Sequence, residues 1–118
     1  PCSGSGLRQK KPEMLVVKKD ISSLLLKQKK MLLRASSLVK DGGYIIYCVC
    51  SLLKEEGEKQ IANFLDDQKC FSTENFFSDI LKFGVVLKSN TFLATPNSFG
   101  KRGGVDGFFI ACLVKNKV

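Results

Sequence analysis

The sequence predicts an α/β fold in which the readable strands build part of one sheet. Three observations carry that prediction. Apolar residues recur with a helical period after residue 20. Two apolar runs, YIIYCVC at 44–50 and GFFIACLV at 107–114, are rich in β-branched and aromatic residues. Helical and strand patterns alternate along the 118 residues, with no internal repeat.

Each element follows from its residues. Residues 1–13 read as a loop, because Gly4 and Gly6 permit positive φ and Pro12 disfavours helix at Lys11. A helix over 20–40 follows from Ile21, Leu24, Leu25, Met31, Leu32, Ala35, Leu38 and Val39, spaced as one apolar stripe. Asp20 suits its N-cap and Gly42-Gly43 its stop, while Lys27, Lys29, Lys30 and Arg34 line its wet side. The 44–50 run, apolar throughout, reads as a strand buried on both faces, as in a parallel sheet. A second helix over 55–68 has Glu55, Glu56 and Glu58 placed to favour the positive end of its dipole and Ile61, Phe64 and Leu65 on its buried side. Residues 70–77 read as a short strand. Two three-to-five-residue strand candidates lie at 85–87 and 91–95, a Gly-rich loop follows at 100–104, and a strand over 107–115 comes after an Asp-Gly turn.

Composition bounds the chemistry. Disorder of the whole is excluded by 44% hydrophobic and 25% charged residues. No histidine is present, which removes Ser-His-Asp and Cys-His catalysis from this chain. Five cysteines, an odd number without regular spacing, point to reduced thiols in the cytoplasm rather than a disulfide framework. The longest apolar run is about half of what a bilayer span needs, so no membrane association is expected. The net charge of +8 is distributed as +8 over 1–40, −5 over 41–80 and +5 over 81–118. That pattern suits a basic face for a polyanion such as nucleic acid, and equally a solvated Lys-rich surface.

Cys50 draws attention because it ends an apolar strand and precedes a helix. Ligands in open α/β sheets bind at the carboxyl ends of strands, and a helix N-terminus favours a thiolate. A small core cysteine would look the same in sequence. Cys48 and Cys50 share a strand face about 6.6–6.8 Å apart, at the limit of disulfide geometry. With no second thiol pair, metal or redox chemistry is not favoured, and Cys48 is expected in the core. Gly4 and Gly6 resemble part of a phosphate loop, but no Lys-Ser/Thr follows them.

Taken together, PCSGSG at 1–6, KKPE at 10–13, a helix containing Gln28, LVKDGGYIIYCVCSLLKEEGE at 38–58 and DGFFIACL at 106–113 resemble the Sun/Fmu family of S-adenosylmethionine-dependent RNA cytosine-C5 methyltransferases, which includes a bacterial 16S rRNA enzyme. The resemblance runs from Pro1 to about Lys115 and thins between 70 and 95. It implies that residues 1–118 are the C-terminal half of a Rossmann-like catalytic domain, a partial domain whose cofactor-binding half lies before Pro1. Pro1 itself matches a fragment of the cofactor site. The last strand should run antiparallel between 44–50 and 70–77, with the two helices covering the sheet faces. Cys50 matches the thiol that attacks C6 of cytosine. Cys2 matches the thiol that assists release, and it should reach the same sheet edge, but loosely. Arg8, Lys10, Lys11, Lys101 and Arg102 are candidate phosphate contacts for RNA, and the protein is expected to be a monomer without a metal.

Two positions depart from the family pattern. Val49 stands where Thr is usual, removing a hydroxyl beside Cys50, and Gly57 stands where Asn is usual. Two other readings remain open at this level. One is a DNA cytosine-C5 methyltransferase, with Cys2 as nucleophile and Cys50 structural. The other is a basic RNA-binding module without catalysis.

Overall fold

The computed structural model describes residues 2–4, 21–94 and 107–116. Its elements are α1 (Ile21–Leu38), β1 (Tyr44–Val49), α2 (Glu58–Asp67), β2 (Phe71–Glu74), a 3₁₀ segment (Ser78–Phe83), β3 (Gly84–Val86), β4 (Phe92–Ala94) and β5 (Phe108–Lys115). The expected N-cap Asp20 lies outside the described residues.

β5 is the spine of the sheet. β1 pairs antiparallel along one of its edges, from Tyr44 opposite Val114 to Val49 opposite Phe109. The other edge is shared end to end: β2 takes Lys115 to Cys112 and β4 takes Ile110 to Phe108, both antiparallel. β3 then pairs with β4 and forms the outer edge on that side. The expectation of an inserted antiparallel strand is therefore met. Residues 84–94 add a hairpin to the same sheet, built from the two short strand candidates.

The alternation along β5 explains its position. Phe109, Ala111 and Leu113 face one way and pack with Leu32 of α1, Ile61 and Phe64 of α2, Val49 and Phe71. Phe108 and Ile110 face the other way and pack with Phe77, Phe92 and Ala94. Only an apolar strand with partners on both edges tolerates burial of both faces. Each fully buried Leu or Ile here contributes about 1.5–3 kcal/mol, although part of that area is already buried in the unfolded chain.

The structure corrects three expectations about packing. Both helices lie on the same side of the sheet, since Leu32, Ile61 and Phe64 belong to one cluster; the opposite side is served by Phe77 and Ile80 instead. β1 is consequently buried on one face only. Ile45, Tyr47 and Val49 point to the helices, while Tyr44, Ile46 and Cys48 are exposed, so Cys48 is a surface residue. The ring of Phe76 meets Tyr44 edge-on at 5.6 Å on that open face. The stripe of α1 also shifts. Met31 and Leu38 are exposed, and the fully buried positions are Gln28, Leu32 and Ser36. Ser36 satisfies its hydroxyl on the Leu33 carbonyl at 2.6 Å, and Gln28 is held by the site described next.

Candidate active site

Cys50 follows the last residue of β1, at the carboxyl end of the strand. The chain then turns through 54–57 before α2 starts at Glu58. The helix begins three residues later than its acidic run suggests, so a turn rather than a helix N-terminus stands next to the thiol. Of the three acidic residues assigned to that first turn, only Glu58 occupies it.

Glu56 has a different role. It is completely buried, and both carboxylate oxygens accept hydrogen bonds from three separate parts of the chain. Ser3 donates its backbone N–H to Oε1 at 2.7 Å and its hydroxyl to Oε2 at 2.6 Å. Gln28 of α1 donates Nε2–H to Oε1 at 3.0 Å. The Ser51 hydroxyl donates to Oε2. Gln60 extends the network, donating to Gln28 Oε1 at 3.2 Å and to the Leu25 carbonyl at 2.7 Å. The backbone carbonyl of Glu56 accepts the Tyr47 hydroxyl at 2.6 Å. A buried acceptor with this many donors meets the condition under which a polar group is tolerated in a core.

The network determines where the two candidate thiols lie. Ser3 follows Cys2 and Ser51 follows Cys50, so one carboxylate holds both cysteine-bearing turns at the same end of the sheet. Burial pushes the Cys48 thiol above its ordinary range, with Cys50 and then Cys2 adding to the effect. Ser3 and Gly4 are buried, and Cys2 is half-buried against the main core. Gly4 has φ 72°, a conformation that glycine adopts without a Cβ penalty. The expectation that this turn approaches loosely is overturned, because two hydrogen bonds from Ser3 anchor it.

Both departures from the family pattern have a local account. Val49 is buried, opposite Phe109 in the apolar cluster, where a methyl group packs and a hydroxyl would need a partner. A Cβ at Gly57 would stand 2.9 Å from Cγ of Phe109, so the ring occupies the space of the usual side chain. Pro1, Arg8, Lys10, Lys11, Lys101 and Arg102 lie outside the described residues. No group of three or more His, Cys, Asp or Glu suited to a metal ion occurs among the described residues. None of their helices is long and apolar enough to cross a membrane.

The sheet, with its last strand inserted antiparallel, is that of an α/β methyltransferase domain. The chain belongs to the 16S rRNA methyltransferase RsmB/F family, whose model matches residues 1–114. It is 31% identical over 121 residues to a probable ribosomal RNA small subunit methyltransferase B of Coxiella burnetii, covering 98% of this chain and 26% of the relative. It is 33% identical over 125 residues to a 28S rRNA (cytosine-C(5))-methyltransferase of Mus musculus, covering 94% of this chain and 15% of the relative. Among solved structures, that of PH0851 matches with a TM-score of 0.80 at 33% identity, over 98% of this chain and 25% of the other. The chain thus spans about a quarter or less of these relatives' lengths.

Glu56 is the site residue that sequence reasoning missed. Its signal was present: an acidic residue five positions after a Cys-Ser pair, with Ser3 beside the other cysteine. An acidic run before a helix has an ordinary dipole explanation, and that explanation concealed the burial.

Proposed function

We propose that this chain is the base-attacking part of the catalytic domain of an S-adenosylmethionine-dependent RNA cytosine-C5 methyltransferase acting on 16S rRNA. The observation that carries the reading is the convergence of the Cys2 and Cys50 turns on the buried carboxylate of Glu56, in a chain whose relatives bear rRNA methyltransferase names. Cys50 attacks C6 of the target cytosine, forming an S–C6 bond and making C5 nucleophilic. C5 takes the methyl group. Loss of the C5 proton then expels the Cys50 thiolate and restores the C5–C6 double bond, with Cys2 assisting this release.

The methyl group comes from S-adenosylmethionine. The target base must leave its stack to reach both thiols, at a cost of a few kcal/mol. Arg8, Lys10, Lys11, Lys101 and Arg102 contact the RNA phosphates in this reading. The protein acts as a cytoplasmic monomer.

The test is methyl transfer by the full-length enzyme to RNA lacking modified cytosines. Cys50→Ala should abolish methylation without any covalent complex. Cys2→Ala should leave enzyme attached to RNA on a denaturing gel. An adduct with Cys50→Ala instead would reverse the roles and favour the DNA-type assignment of Cys2 as nucleophile. Normal turnover by both variants would overturn both cysteine roles, and no methyl transfer by the parent enzyme would leave the binding-module reading.

A further inference from the structure

We infer that Glu56 is the positioning residue of the two-thiol site, setting the release thiol against the attacking one. The inference rests on the roles proposed above for Cys2 and Cys50. It draws on the connectivity of the buried carboxylate. Ser3 is held at two points, N–H and hydroxyl, by both oxygens of one side chain, which fixes the orientation of the Cys2 turn as well as its place. The Ser51 hydroxyl shares Oε2 with the Ser3 hydroxyl, so the residues that follow the two thiols meet at a single atom. Ser51 also accepts the Leu53 N–H at 3.1 Å, locking the turn after Cys50 from its other side. Gln28 completes the set on Oε1, tying the hub to α1.

The attacking thiol is carried by β1, which β5 pairs along its whole length. The Cys2 turn places two hydrogen bonds on the carboxylate through Ser3, the Cys50 turn one through Ser51. Loss of Glu56 therefore falls on release before it falls on attack. A misplacement of about 1 Å in a catalytic group costs on the order of 100-fold.

Glutamine can keep this arrangement. With its amide nitrogen in place of Oε2, it donates to both serine hydroxyls, which rotate to accept, while its carbonyl replaces Oε1 for Ser3 N–H and Gln28. Alanine keeps none of these bonds. The experiment uses the full-length enzyme with S-adenosylmethionine and unmodified rRNA, and measures both methylation and covalent enzyme–RNA complex for Glu56→Ala, Glu56→Gln, Ser3→Ala and Cys2→Ala. Glu56→Ala should accumulate adduct as Cys2→Ala does, with release slowed on the order of 10- to 100-fold relative to methyl transfer. Glu56→Gln should release near the parent rate, and Ser3→Ala should fall between. A protein that is merely less stable would lose attack and release together and show no adduct. If Glu56→Ala does not fold, Ser3→Ala decides the matter, and parental release there overturns the proposal. Adduct with Cys2→Ala but with neither Glu56→Ala nor Ser3→Ala overturns it alone. No adduct with Cys2→Ala overturns the cysteine roles and this inference with them.

Discussion

Replacing Gly57 with alanine places a carbon where the ring of Phe109 already lies. The added Cβ would stand 2.9 Å from Cγ, 3.0 Å from Cδ2 and 3.3 Å from Cδ1, against about 3.5–4.0 Å for an optimal carbon contact. The ring must recede by roughly 0.5–1 Å, yet it is 2% exposed at the centre of the main cluster. Overpacking of this kind costs about 1–3 kcal/mol. The expected loss is therefore about 1–3 kcal/mol. With a urea m-value of about 1–3 kcal/mol/M, the midpoint should fall by roughly 1 M at unchanged slope. Phe109→Leu in the same chain should relieve the clash, giving a coupling energy of about 0.5 kcal/mol or more in a double-mutant cycle. A Gly57→Ala variant as stable as its parent, or additive with Phe109→Leu, would refute the argument.

Two further outcomes are expected. Tyr47→Phe should cost about 0.5–1.5 kcal/mol at neutral pH, because the hydroxyl bonded to the Glu56 carbonyl is lost. The same variant should also lose less stability at high pH: burial, then Glu56 and Cys2, push the Tyr47 phenol well above its ordinary range. The unfolded chain therefore releases this proton first, as pH passes about 10, and folding weakens by about 1.4 kcal/mol per further pH unit. Denaturation curves from pH 9 to 11 should show a steeper decline in the parent than in Tyr47→Phe, since the raised Cys48 and Cys112 thiols contribute to both; equal slopes would count against it. Cys112 is 1% exposed, and burial followed by Glu74 raises its thiol. Alkylation mapped by mass spectrometry should spare Cys112 until the protein unfolds, whereas exposed Cys48, its thiol also raised, should react faster as pH climbs above the usual thiol range.

The strand 107–115 was legible because its apolarity on both faces leaves a sheet interior as the place where every side chain finds a partner. The same signal misled at 44–50. Tyr44, Ile46 and Cys48 are as apolar as their neighbours but face away from the helices. Sequence hydrophobicity reports what a face could bury, not what lies against it. In α1, buried Gln28 and Ser36 displaced Met31 and Leu38 from the expected stripe, because a bonded polar group can be buried as readily as an apolar one.

By itself the sequence determined the elements, their order, the inserted last strand through its family resemblance, and the two cysteines beside their Ser residues. Those features rest on local periodicity and motif spacing, which are properties of neighbouring residues. Tertiary structure alone decided that both helices share one face, that the hairpin at 84–94 completes the edge of β5, and that Glu56 is a buried acceptor. Glu56 reaches Ser3 across 53 residues and Gln28 across 28. Hydrogen bonds between segments so far apart leave no periodic trace in the chain, so the carboxylate that holds the two thiol turns together becomes visible only after the sheet has brought its partners to one end.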